Sequence, residues 1–144
     1  MAALLRWDNP RQSLFERIRQ RADPDTKTDC DLLTSVRQNL SLVLNTRPGG
    51  SQSAPDLGIV DMNDAMMSSS ELNLVVCQSI RDCILRFEPR ISAVTVTTCV
   101  SAHEASDPLM LHFRIIADVQ EKSAVTRRVE FQLHMDHEQR YFLE

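Results

Sequence analysis

The side chains of this 144-residue chain that could do chemistry are four cysteines, four histidines and twenty acidic residues. Nucleophilic catalysis needs a serine or cysteine in a recognisable active-site setting beside a general base. No Gly-x-Ser-x-Gly elbow occurs, and Cys30, Cys77, Cys83 and Cys99 form no C-x-x-C pair. Three glycines in all leave no glycine-rich loop to cradle a phosphate. A zinc-type metal site takes three or four ligands at set spacing. His134 and His137 are three apart, but His134 falls on a strand's outward face with no third ligand fixed by motif, and His103 and His112 stand alone. Glycosidase-type acid–base work asks for two carboxyls ~5–9 Å apart; Glu88, Asp61 and Asp64 fall near helix or loop ends without diagnostic spacing. These groups read as core thiols, surface histidines and solvated or salt-bridged acids. No catalytic residue, metal ligand or cofactor is expected.

One short stretch is more informative. Glu88-Pro89-Arg90 lies between an apolar helical run and a β-branched run. Proline fixes φ, lacks an N–H and biases Glu88 away from helical geometry, so the helix must stop there. On an extended stretch residues two apart point the same way, which sets one carboxylate beside one guanidinium on a stiff corner. Arginine's planar fork suits bidentate carboxylate contacts and keeps its charge when partly buried. Two readings follow: an intramolecular ion pair or helix-end cap, and a docking corner for another chain.

The elements that position this corner follow from periodicity. Leu14, Phe15 and Ile18 share one side of a short helix with Ser13 near its start, inside a basic arm that carries Arg6, Arg11, Arg17, Arg19 and Arg21. Residues 22–30 are polar with one proline and read as a linker. Val36, Leu40, Val43 and Leu44 recur at helical spacing over residues 31–46, and Pro48-Gly49-Gly50 ends that helix. Residues 49–64 form a long irregular crossing. Ser68-Ser69-Ser70-Glu71 opens a third helix whose apolar face runs from Leu72 through Val76, Ile80, Cys83 and Ile84 to Phe87. From Ile91 the period becomes two: Ile91–Val100, Leu109–Val119 and Val125–Met135 read as strands, the last two half-buried with one wet face and closed into a hairpin by residues 120–124.

The fold class expected is α+β: an antiparallel meander of three strands, or four if Tyr141-Phe142-Leu143 adds an edge segment. The third helix covers its apolar face. Setting Val119 opposite Val125 pairs Phe113 with Phe131 and Arg114 with Glu130, whereas a slide that brings Arg114 beside Arg128 opposes like charges. The first register is expected.

Composition bounds the function. The length suits one domain, and 42% hydrophobic with 25% charged residues excludes global disorder. A net charge of −4 argues against a general nucleic-acid binder. Apolar runs such as Leu74-Val75-Val76-Cys77 are far short of the ~20 residues of a membrane span. Met1–Leu5 meets Arg6 and then Asp8, too soon for an export signal, so a cytoplasmic chain with reduced thiols is expected. The domain plan is an amphipathic arm and linker over residues 1–30 and an α+β domain over 31–144.

The Glu88-Pro89-Arg90 corner resembles the Glu-Pro-Arg motif of the phage tail baseplate wedge family, and the chain is similar to the TssE branch found in type VI secretion systems. Ser13–Ile18, Ser35–Leu40, Leu44-Asn45-Thr46-Arg47 and Pro55–Asp61 carry the likeness in order and spacing. The departure is Leu57, where the family often has an aromatic before the loop glycine. The resemblance implies a non-enzymatic structural subunit beside the wedge proteins TssF, TssG and TssK, connecting to the sheath proteins TssB and TssC. It implies that Glu88, Pro89 and Arg90 serve assembly. The alternatives are a lysozyme-like peptidoglycan hydrolase, a label some members carry, and a cytoplasmic adaptor of the same fold. Leu14, Phe15 and Ile18 are expected to face a partner.

Overall fold

The structure, a computed structural model, describes residues 14–22, 32–59, 68–99, 110–121 and 125–144. Its elements are α1 (Leu14–Ala22), α2 (Leu32–Asn45), α3 (Ser69–Phe87), β1 (Ile91–Cys99), β2 (Leu111–Gln120), β3 (Thr126–Met135) and β4 (Tyr141–Leu143). Ser13, the linker after Ala22, Cys30, Asp61, Asp64, Val100, His103, Leu109 and residues 122–124 lie outside the described residues, as does the loop beyond Ile59.

The helix limits have local causes. At the start of α3, Ser68 Oγ accepts from the Glu71 backbone N–H while the Glu71 carboxylate accepts from the Ser68 N–H, a reciprocal capping box. At its end, Glu88 turns extended (φ −118°, ψ 91°) after its own N–H has donated to the Ile84 carbonyl at 2.9 Å. Pro89 enforces that exit.

The strands form one antiparallel sheet in the order β1-β2-β3-β4, the meander expected, with the fourth strand in place. α3 packs over β1, and α2 packs beside α3 and against β4. Between helices and sheet lie Val36, Leu40 and Leu44 of α2, Val76, Ile80 and Ile84 of α3, and Phe113, Ile115, Val119, Phe131 and Leu133 of the sheet. Each such side chain contributes about 1.5–3 kcal/mol by leaving water. Leu57, the departure from the family pattern, packs against this core, and Ile59 is part of it.

The β2–β3 register corrects the expectation by two residues. Phe113 faces Leu133, Ile115 faces Phe131, Arg114 faces Gln132 and Asp118 faces Arg128. The parity is as argued, so the apolar faces still coincide. The slide runs away from the Arg114–Arg128 clash, and it places an ion pair directly across the strands: Arg128 Nε lies 2.9 Å from Asp118 Oδ1. Arg114 keeps Glu130 as a diagonal partner at 2.8 Å. Two opposite-charge contacts therefore replace one. Val125, placed by the expected register on the buried face, stands at the turn and is exposed.

Candidate functional site

The corner between α3 and β1 is where three elements meet. Glu88 caps α3 and Arg90 precedes β1. Across from them α2 presents Ser35 and Asn39, four residues apart and hence on one helix face. The Arg90 guanidinium grips the Glu88 carboxylate as a fork: Nε donates to Oε1 at 2.7 Å and Nη2 donates to Oε2 at 2.9 Å. Asn39 Nδ2 donates to Oε2 at 2.7 Å, and the Arg90 backbone N–H donates to Oε1 at 3.2 Å. Arg90 Nη1 donates onward to Ser35 Oγ at 2.8 Å. The main chain joins in, with Ile91 N–H on the Glu88 carbonyl and the β2 residue Gln120 N–H on the Arg90 carbonyl at 2.8 Å. A register irregularity between Ile91 and Ala93 lets β1 leave this corner and still pair with β2.

Glu88 is fully buried and Ser35 nearly so, while the Arg90 side chain is 12% exposed. A buried carboxylate survives only when paired and hydrogen-bonded, and here four donors surround it. Such a group holds position; it is neither open to a substrate nor short of a proton-bond partner. Pro89 between the two charges is exposed, so the corner shows solvent its proline and a small part of the Arg90 side chain.

The sequence brought Glu88 and Arg90 together correctly. It did not assign Ser35 and Asn39 to the corner. The signal was there: Ser35 is a polar residue inside the buried stripe Leu32, Val36, Leu40, Val43 and Leu44, and a buried hydroxyl needs a partner.

The remaining candidates lie apart from this corner. Leu14, Phe15 and Ile18 are 58%, 75% and 52% exposed on α1. Cys83 is buried in the core and Cys77 is half-buried; burial pushes both thiols up, away from the reactive thiolate. His112 and His134 are not isolated, since the observed register sets them opposite each other. Among the described residues no three His, Cys, Asp or Glu side chains are grouped to hold a metal ion. Likewise, no described helix is long and apolar enough to cross a membrane.

Comparison with known proteins places this geometry. No curated protein gives a significant match. Among solved structures, a chain of "The baseplate complex from the type VI secretion system" superposes with a TM-score of 0.54 at 21% identity, covering 72% of this chain and 93% of that one. That likeness is one of fold. The family model described as "Baseplate wedge protein gp25" matches residues 30–124. That span holds α2, α3, β1, β2 and the whole Ser35–Asn39–Glu88–Arg90 corner, and the chain belongs to the baseplate wedge protein gp25 family.

Proposed function

We propose that this chain is a structural subunit of a type VI secretion baseplate, helping to assemble the wedge and to connect it to the contractile sheath. The observation that carries the reading is the Glu88–Pro89–Arg90 corner in a chain of the wedge family: a buried ion pair pins three elements and leaves Pro89 outermost. In this reading Glu88 is a positioning residue, and Pro89 with the small exposed part of Arg90 meets the neighbour. The exposed Leu14, Phe15 and Ile18 of the arm, residues 1–30, give a second attachment, and 31–144 is the wedge domain.

The sheet edge favours the same reading. Among the described residues β1 is an edge strand, with no charge and no proline over Ile91–Cys99, the kind of edge that accepts an added strand. The partners proposed are TssF, TssG and TssK in the wedge and TssB and TssC in the sheath, with the chain in the cytoplasm at the inner face of the inner membrane. An enzymatic role has no support in the corner, because all of Glu88's visible bonds hold it in place.

The test is affinity capture of the tagged full chain from cells that run a type VI system, with mass spectrometry of what accompanies it. Wedge and sheath proteins should be enriched over an untagged control. Arg90→Ala, assayed at a temperature where circular dichroism shows it folded, should lose them. Their absence from the wild-type capture overturns the assignment. A folded Arg90→Ala chain that still captures them all removes the corner from the interface.

A further inference from the structure

The outward face of the sheet carries a cross-strand row that neither the family nor the corner explains. Cys99 on β1 faces His112 on β2, His112 faces His134 on β3, and His134 faces Phe142 on β4. The two imidazoles turn toward each other: His112 Nδ1 and His134 Nδ1 are 2.6 Å apart, with ring planes at 87°. Two ring nitrogens that close need something electropositive between them, a shared proton or a cation. Both rings are partly exposed, so an ion can reach them from solvent.

We propose that His112 and His134 form a binding site for a late first-row divalent cation of the kind imidazole favours, Ni²⁺, Cu²⁺ or Zn²⁺. Metal–nitrogen bonds of ~2.0–2.1 Å in a tetrahedral site put the two nitrogens about 3.3 Å apart. The rings therefore part by less than an ångström from their present 2.6 Å. The other nitrogen of His134, Nε2, has Glu144 Oε2 3.8 Å away, outside hydrogen-bond range; the tautomer protonated at Nε2 leaves Nδ1 free to ligate. Ligation through Nδ1 leaves the remaining ring proton of each histidine on Nε2. With no third protein ligand grouped among the described residues, water fills the other positions. The site depends on the register found here, because the expected one would set His112 against Gln132.

The experiment is calorimetric titration of the full chain with Ni²⁺ at neutral pH, alongside His112→Asn, His134→Asn, the double variant and His137→Asn. One ion should bind per chain. Each single variant at the pair should weaken binding by more than the ~10-fold that loss of an outer partner alone can cause, while His137→Asn, in the β3–β4 turn, should leave it unchanged. Binding by the double variant equal to wild type, or loss of binding in His137→Asn, overturns the proposal. NMR of the wild-type chain gives a reading independent of any substitution: Ni²⁺ should broaden resonances around His112 and His134 first. Broadening centred elsewhere, or none, equally overturns it.

Discussion

Replacing Arg90 with alanine removes the cation that, among the described residues, pairs with the fully buried Glu88 carboxylate. Glu88 would keep two of its four donors, Asn39 Nδ2 and the backbone N–H of residue 90, and Ser35 would lose its guanidinium partner. Because the pair is buried, with side chains 12% and 0% exposed, solvent screening offers little relief. Removing one member of such a pair typically costs about 3–5 kcal/mol. For a chain of this size that lowers the melting temperature by on the order of 10 °C. Glu88→Ala should cost a similar amount, since it strands the guanidinium instead.

The double variant separates coupling from packing. Glu88→Met with Arg90→Met removes both charges and fills similar volume, so its cost should fall short of the summed losses of Glu88→Met and Arg90→Met taken singly by about 2–3 kcal/mol. The remainder is the loss of the Asn39–Glu88 and Arg90–Ser35 hydrogen bonds, about 1.5–3 kcal/mol for each bond to a charged group. Urea denaturation followed by circular dichroism reads these numbers, with an unchanged m-value as the sign that stability alone has moved. Single costs below ~1 kcal/mol, or singles that add to the double within ~0.5 kcal/mol, would refute the reasoning: the corner would then be no coupled network.

Gly58 and Gly49 both have positive φ, at 111° and 85°, yet they should respond differently to alanine. A Cβ at Gly58 falls 1.7 Å from the Thr46 carbonyl oxygen, whereas at Gly49 it meets open space. Gly49→Ala should cost the backbone term of roughly 1–2 kcal/mol, and Gly58→Ala should cost well beyond it, read as urea midpoints. Asn45 acts as a surrogate strand: its amide donates to the Tyr141 carbonyl at 2.8 Å and accepts the Tyr141 N–H at 2.9 Å. Asn45→Ala should cost about 1–3 kcal/mol and speed hydrogen exchange at Tyr141 ahead of the rest of the sheet. Tyr141 is the single tyrosine, and burial, then the nearby Cys83, pushes its phenol up to about 12. Its ultraviolet titration should have its midpoint there, not near 10. Since the folded chain disfavours the phenolate, the stability is present below pH 10 and is lost as pH climbs toward 12; titration near 10 in a still-folded chain contradicts the placement.

What the sequence determined by itself is whatever a few neighbouring residues decide. The reciprocal Ser68–Glu71 cap starts α3, Pro89 stops it, and the alternation from Phe113 to Val119 and from Phe131 to Leu133 fixes which face of each strand is buried. Sterics, hydrogen-bond supply and side-chain period act within one or two turns of chain, so these signals survive in the letters. The Glu88–Arg90 contact was legible for the same reason, being two residues apart on an extended segment.

The tertiary structure decided everything that joins distant segments. Parity limits a hairpin to registers two residues apart but does not choose among them. The choice fell to a sum over the sheet, and the register selected carries both the Asp118–Arg128 pair and the Arg114–Glu130 diagonal. That slide created the His112–His134 contact. Packing of α2 against the corner brought Ser35 and Asn39 to Glu88 and Arg90, and packing against β4 brought Asn45 to Tyr141. At the corner the cause is plain: Ser35 and Glu88 are buried polar groups, and a buried polar group must find its partner across the core because no water is left to serve it.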